Sequence, residues 1–402
     1  MLATLVFVFT YVAFSVGRVP GLRSDRVAAA IIGAVLLVAF RVLSLSEAQA
    51  SIDGGTLGLL FAMMVLSAAL DVSGTFALVG WWVTRRARSP LALLAAVSIA
   101  SAVLSAFLIN DVVCIAFTPL VLRIAEALDR DPKPYLLALA TSSNIGSVAT
   151  VTGNPQNILI ASLSHISYAQ FAMALAPVAA IALVLNVAVV WVVYRRTLGD
   201  PSLTPKREKR PHVYGRWAWK SGLLTLAVLV AFVAGVPPVM AALLGAASMM
   251  LTRAVDPKRL YVRVDWTLLA LFAGLFVIVA GVEKAGLAER LLVVLEPMHP
   301  QSVWGFTAIA AILSNVVSNV PAVMVLKSIV PHLPNQQSAW LTLAMASTLA
   351  GNLTLPGSLA AVIVAERAKG RATISFLDFL KVGMPTGVLS LVVGAAWLSL
   401  VR

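Results

Sequence analysis

Residues 141–157 read TSSNIGSVATVTGNPQN, and their setting decides the fold. Apolar arms flank them, PYLLALA at 134–140 and ILIASL at 158–163. Each arm supplies about ten residues, near 15 Å of helix, half of the roughly 30 Å hydrocarbon layer of a bilayer. A run of Ser, Thr, Asn and Gly between two half-length arms reads as a re-entrant hairpin over 134–164, with both arms on one side. STLAGNLTLPGS at 347–358 repeats the pattern inside a second hairpin, 340–368.

The rest of the chain supplies the apolar layer. Of 402 residues, 60% are hydrophobic and 12% charged, and the mean hydropathy is +0.94. Soluble domains carry roughly 25% charged residues, so lipid is the main solvent of this chain. Segments at about 1–16, 27–45, 54–71, 90–122, 170–194, 217–234, 238–252, 264–282, 302–327 and 376–400 read as ten full crossings. Transmembrane β-barrels are excluded, because their strands alternate apolar and polar residues in segments of about ten. MLATLVFVFTYVAFSV at 1–16 lacks a basic start and a small-residue cleavage site, so it reads as a retained helix.

The net charge of +13 is a topology signal rather than a nucleic-acid footprint, because the basic residues lie between the apolar runs. One face receives the arginines at 18, 23, 26, 85, 86 and 88, the cluster at 195–216, the basic residues at 253–263, Lys327, and those at 367–371. The other receives Arg123, Arg130, Lys133, Lys284, Arg290 and Arg402. The richer face is cytoplasmic by this rule, and both termini face the periplasm. Full spans in place of the two hairpins are expected to blur this sorting. The basic, proline-containing stretch 195–216 divides the chain into halves 1–194 and 217–402.

The halves resemble each other at an offset of about 210. Thr56-Leu57 and Leu60-Phe61-Ala62 match Thr267-Leu268 and Leu271-Phe272-Ala273. Asp71 matches Glu283, Leu104-Ser105 matches Leu313-Ser314, and Thr150 and Gly153 match Thr354 and Gly357. Each half has five crossings, an odd number, so the second is inserted upside down. The expected fold is an all-α polytopic membrane protein of two inverted five-crossing repeats, each with a discontinuous helix and a re-entrant hairpin. Such repeats are a signature of secondary transporters, whose sites lie near the midplane on broken helices.

Polar groups at membrane depth are costly unless they line a cavity or are buried in protein. They occur here in pairs. Asn110-Asp111 with Thr118-Pro119 interrupts one long apolar run, and Ser318-Asn319 with Pro321 interrupts its counterpart. The two tips form the other pair. A half-helix starting after Asn154-Pro155 or Gly357-Ser358 aims its positive end inward and attracts an anion without a fixed cation. Candidate substrate-binding residues are Asn110, Ser143, Asn144, Gly153, Asn154, Asn157, Asn319, Thr348, Asn352, Thr354, Gly357 and Ser358. Candidate ion-coupling residues are Asp111, Thr152 and Ser318. Asp111 is the one carboxylate placed deep in the layer, where it could carry a proton or bind a cation. Cys114, the single cysteine, reads as packing.

At these motifs the sequence resembles the ion transporter superfamily, of the ArsB/NhaD type with its citrate-transporter-like relatives. Asn110-Asp111 with Thr118-Pro119, Asn144-Ile145-Gly146, Gly153-Asn154-Pro155-Gln156-Asn157 and Ser318-Asn319-Val320-Pro321 carry the resemblance. The Gly-Asn-Pro-Gln-Asn run looks most like the YbiR-like branch. The resemblance implies an inverted-repeat fold, often a homodimer, and ion-coupled transport of anions or of arsenite.

The leading expectation is a secondary transporter for a small anion or oxyanion in the inner membrane, coupled to H⁺ or Na⁺. Arsenite or antimonite efflux by proton exchange, and Na⁺/H⁺ antiport, are the alternatives. An intramembrane enzyme would need a nucleophile–base pair or metal ligands at depth, and neither is seen. No cofactor, metal site or nucleic-acid partner is expected, and the sequence has no phosphate-binding loop for ATP.

Overall fold

The computed structural model describes residues 2–16, 25–86, 89–198, 213, 215–251 and 255–401, and among them all regular secondary structure is helical. The first half contains α1 (Leu2–Val16), α2 (Arg26–Ala39), α3 (Leu45–Ser51), α4 (Gly54–Ser73), α5 (Thr75–Arg86), α6 (Pro90–Phe107), α7 (Asn110–Ala127), α8 (Lys133–Val148), α9 (Pro155–Ser164) and α10 (Tyr168–Leu198). The second contains α11 (Gly215–Val233), α12 (Pro238–Met250), α13 (Lys258–Tyr261), α14 (Trp266–Lys284), α15 (Leu287–Leu295), α16 (Val303–Val317), α17 (Asn319–Leu326), α18 (Gln336–Ala350), α19 (Leu359–Ala368) and α20 (Phe376–Leu400). Most of the basic linker, 199–212 and 214, lies outside the described residues.

Local chemistry sets the boundaries. Asp53 starts α4 by accepting the backbone N–H groups of Gly55 and Thr56, and Gly74 ends it at φ 83°, where a side chain would be strained. Ser89 caps α6, and Pro90 takes the first helical position, where its missing N–H costs nothing. α4, α6, α10, α11, α14 and α20 are long and apolar enough to cross a membrane. Their outward faces carry large exposed apolar side chains such as Val184, Leu223, Val230 and Val388, as a lipid-facing surface does.

Helix packing comes in matched sets. α2 packs on α14 as α12 packs on α4, and α1 packs on α2 as α11 packs on α12. α6 packs on α8 as α16 packs on α18, and α8 packs on α10 as α18 packs on α20. A tight approach is at Gly146, where a β-carbon would stand 2.1 Å from the Ala102 carbonyl oxygen of α6.

The path of the chain differs from the expected one at both polar tips. α4 has 20 residues, about 30 Å, so Asp53 and Asp71 mark opposite ends of the bundle. At the Asp71 end Arg263 pairs with Asp71 at 2.8 Å. One apolar cluster there joins Leu70 to Leu122 and Ile124 of α7, Tyr135 of α8, Leu198 of α10, Ala368 of α19 and Phe379 of α20. Lys133 pairs with Asp378 at 3.3 Å and Arg371 with Glu126 at 3.7 Å, so the starts of α8 and α20 meet, as do the ends of α7 and α19. At the Asp53 end the Ser162 hydroxyl of α9 donates to Asp53 at 2.7 Å, and Lys284 pairs with Glu47 at 2.6 Å. Lys327, just past α17, pairs there with Glu283 at 3.4 Å. The Lys284 ammonium and the Ser44 cap hold the exposed Glu47 carboxyl down at about 2, so this contact stays charged at neutral pH.

α8 therefore opens at one end and α9 closes at the other, and α18 and α19 run the opposite way. The stretches 134–164 and 340–368 are broken crossings, not hairpins. The hairpins are α6–α7 and α16–α17, whose arms pack on each other, whereas α8 and α9 do not run side by side. Backbone conformation is the reason. The tips are short 3-10 turns, Val151–Gly153 and Leu355–Gly357, each between extended residues that carry the chain onward. At Leu108-Ile109 the chain is extended and then turns back into α7, and Ser318 takes φ 76° to reverse α16 into α17.

Cysteines introduced one at a time at Asp131, His165 and Ala372 in a Cys114→Ala background distinguish the two paths. With an impermeant thiol reagent on intact cells and inverted vesicles, Asp131→Cys and Ala372→Cys are expected to label from one side and His165→Cys from the other. Co-labelling of 131 with 165 would restore the hairpin. Gly146→Ala is expected to lower stability by about 1–3 kcal/mol, read as a drop in Tm, because α6 and α8 must separate.

Candidate functional site

The four interrupted helices begin at the same place. Asn110 of α7, Pro155 of α9, Ser318-Asn319 at the start of α17 and Ser358-Leu359 at the start of α19 all line one cavity of about 320 Å³. Its opposite wall is made by the end of α1 at Phe14 and the starts of α2 and α14, at Asp25-Arg26 and Asp265. Six helices thus turn their N-termini toward one space. Each N-terminus leaves backbone N–H groups unpaired and carries roughly half a positive charge, so the cavity favours oxygen-rich or anionic groups.

A buried amide chain holds the starts in register. The Asn144 side-chain oxygen accepts from the Asn110 amide at 3.1 Å and from the Ser358 hydroxyl at 3.0 Å. Its amide nitrogen donates to Asn352 at 2.9 Å, and Asn352 donates to the Thr141 carbonyl at 3.2 Å. Both tips, both broken crossings and the α6–α7 hairpin therefore share one hydrogen-bonded unit. A second unit lies beside it. Asn154 donates to the hydroxyls of Ser147 and Thr348 at 3.1 Å each and caps α9 by accepting the Asn157 N–H at 2.9 Å. Asn157 donates to the Ser147 and Thr150 carbonyls, and Gln156 donates to Thr348 at 3.1 Å. In a third unit Thr354 donates to Asn315 at 2.6 Å, and Gly357 leaves room for that same Asn315 oxygen.

Of the residues singled out in the sequence, Asn110, Asp111, Ser318, Asn319 and Ser358 line the cavity. Asn144 and Asn352 stand one layer behind them, fully buried. Asn154, Asn157 and Thr348 belong to the second unit, Thr354 and Gly357 to the third. Gly153 is pressed against the Ser147 and Ser105 carbonyls, where no side chain fits. Ser143 meets Cys114 at 3.0 Å, and Thr152 meets the Tyr168 hydroxyl at 3.2 Å; neither lines the cavity. Gln156, Arg26, Asp25 and Asp265 line it without having been singled out as site residues. Gln156 was readable as the residue after Pro155 in the first tip. The other three read as interfacial charge and capping.

Two lining groups stand out by what they lack. Among the described residues Asp111, in the first turn of α7, makes no hydrogen bond or ion pair, and the buried side-chain oxygen of Asn319 has no hydrogen-bond donor. Both are acceptors facing a space large enough for a small solute. No group of three or more His, Cys, Asp or Glu side chains among the described residues could hold a metal ion.

Asn144→Ala is expected to orphan Asn110, Asn352 and Ser358 together. At about 1–3 kcal/mol for each unsatisfied buried group, it should lower Tm far more than Thr152→Ala, which loses the weak contacts to the Thr150 and Tyr168 hydroxyls and to one carbonyl. Equal shifts for the two variants in thermal unfolding of the purified protein would show that the amide chain is not what ties the helix starts together.

The CitMHS citrate transporter family matches residues 9–350. The silicon efflux transporter LSI3 of Oryza sativa subsp. japonica is 30% identical over 94% of this chain and 93% of its own length. The inner membrane protein YbiR of Escherichia coli strain K12 is 29% identical over 80% of this chain and 82% of its own. Among solved structures, the YdaH transporter of Alcanivorax borkumensis shares the fold with a TM-score of 0.60 at 13% identity, over 99% of this chain and 96% of that one. With the family matched over most of its length, this chain is a polytopic membrane transporter rather than an enzyme, and it belongs to the CitMHS citrate transporter family, within the ion transporter superfamily of ArsB/NhaD type.

Proposed function

We propose that the chain is a secondary active transporter that moves a small anion or oxyanion across the inner membrane by alternating access, coupled to H⁺ or Na⁺ through Asp111. The observation that carries this reading is the single cavity onto which six helix N-termini and one unpaired carboxylate converge. The N-termini suit the solute's negative oxygens, and the carboxylate suits a proton or small cation. Asn110, Ser318, Asn319 and Ser358 supply the remaining polar contacts, and Asn144 and Asn352 fix their positions.

Two inverted repeats account for the matched packing sets, in which the α1–α2, α6–α8 and α8–α10 contacts have partners in α11–α12, α16–α18 and α18–α20. With the broken crossings as full spans, each half still has five crossings, and the second half is still inverted. The basic residues then sort better than with hairpins at 134–164 and 340–368. Arg123, Arg130 and Lys133 join the richer face at the Asp71 end, Lys327 leaves it for the other face, and Lys284 and Arg290 stay on that other face. On this sorting the Asp71 end faces the cytoplasm and both termini the periplasm, by the excess of basic residues on cytoplasmic loops. The family resemblance adds a homodimer.

A second reading has its own support. The unsatisfied groups at the cavity, Asp111 and the Asn319 oxygen, accept hydrogen bonds and do not donate them. They suit a protonated, uncharged oxyacid leaving in exchange for H⁺, as in arsenite or antimonite efflux, and the similarity to a silicon efflux transporter points the same way. In Na⁺/H⁺ antiport, the remaining alternative, the same acceptors would hold only the cation.

Proteoliposomes with imposed pH or Na⁺ gradients, tested with carboxylates, inorganic oxyanions and arsenite, decide among these. Gradient-driven flux of one solute in the wild-type protein, lost in Asp111→Asn, is the expected outcome. Unchanged coupled flux in that variant would remove Asp111 from the coupling. Cation exchange with no solute flux would leave the antiport reading.

A further inference from the structure

We infer that Arg26 is the anion-selecting side chain of the cavity, a charge filter for solutes bearing two oxygens on one centre, such as a carboxylate or phosphate-type group. The inference deepens the transport reading above and rests on its anionic form.

Arg26 is the one basic residue among the described residues that line the cavity. It is the first residue of α2, half-buried, and makes no hydrogen bond or ion pair among the described residues. The preceding segment 17–24, GRVPGLRS, contains no acidic side chain that could neutralise it. A cation at a helix N-terminus opposes the helix dipole, so this placement costs energy that no partner among the described residues repays. Burial of the guanidinium adds to the cost.

The carboxylates of the same wall are already engaged. Asp25 accepts the Ala28 N–H at 2.8 Å, and Asp265 accepts the Leu268 N–H at 3.0 Å and the Thr267 hydroxyl. Each is the cap of a helix whose dipole supports its charge. Arg26 is the charge on that wall without such support. A guanidinium presents planar paired donors that match a carboxylate or phosphate-type group through two parallel hydrogen bonds. Across the cavity stand the helix starts at Asn110, Ser318 and Ser358. An oxyanion between them is held by a fork on the wall and by backbone N–H groups on the broken helices.

The test needs no knowledge of the natural solute. A reporter thiol is placed in the cavity as Ser318→Cys in a Cys114→Ala background, and the protein is purified into nanodiscs. Its reaction rates are measured with an anionic reagent, sulfonatoethyl methanethiosulfonate, and with the cationic trimethylammonioethyl analogue. At an effective dielectric near 20, removing one unit charge from the cavity wall shifts the rates of the two oppositely charged reagents in opposite directions, each by roughly tenfold. Arg26→Gln is therefore expected to lower the anionic-to-cationic rate ratio by about tenfold or more, and Arg26→Lys to restore most of it. A lipid anchor or topology residue would leave the ratio unmoved, and an unmoved ratio in correctly folded Arg26→Gln, checked by its Tm, overturns the inference. A shifted ratio supports the filter even if no solute in the transport panel moves, in which case it is the transport reading that fails.

Discussion

The structure depends on how the chain satisfies broken backbone inside an apolar layer. Each helix start leaves about four N–H groups without intrahelical partners, and lipid offers none. Starting four half-helices at one depth concentrates that problem in one place, and the protein answers it in two ways. Asparagine and threonine side chains bridge the breaks, with Asn144 joining Asn110, Ser358 and Asn352. The remaining N–H groups turn toward a cavity large enough for a solute. Unpaired backbone at the breaks needs polar partners, which is why neutral polar residues of this chain gather at the tips.

Much of this was legible in the amino-acid order, and the failure is specific. Apolar length and the absence of alternation established a helical membrane protein, and polar residues at Asn110-Asp111, Ser318-Asn319 and the two tips marked the helix breaks. The direction of the chain at each break was misread. A Gly-Thr-Asn tip between apolar arms has the composition of a turn, but Thr150 and Asn154 are extended around their 3-10 turn, so the chain goes on across the layer. The run 90–127 shows only Asn110-Asp111 where it folds back. Composition reports that a helix stops; it does not report where the next one points, because that depends on a few backbone angles and on the helices packed around them. The tie between Lys133 and Asp378, 245 positions apart, is a contact no local pattern encodes.

The site was half legible for a related reason. Residues that break a helix are conspicuous in an apolar run, so Asn110, Asp111, Ser318, Asn319 and Ser358 stand out in the sequence, and all five line the cavity. Arg26, Asp25 and Asp265 belong to helices that start in the ordinary way, and at a membrane boundary a charge there looks like a topology signal or a cap. Asp25 and Asp265 are in fact caps. Their place on the cavity wall follows from α2 packing on α14, a tertiary fact. Conversely, Asn154 and Asn157 look like ligands in the sequence, yet their side-chain N–H groups donate to Ser147, Thr150 and Thr348, holding the first tip in shape.

The two halves share their main helix contacts but not their ion pairs. Asp71 and Glu283 hold equivalent places at the ends of α4 and α14, yet their partners differ. Asp71 is engaged by Arg263, which precedes α14 on the same wall of the cavity. Glu283 instead reaches across to Lys327 and accepts from Ser328, both at the foot of the α16–α17 hairpin. At one end the wall is thus fastened to the broken-helix unit, while at the other Asp71 is satisfied within the wall itself. The cavity lies toward this second end, where Asp25 and Asp265 stand at the starts of their helices. Two matching carboxylates with unequal partners therefore hold the ends of α4 and α14 in different ways.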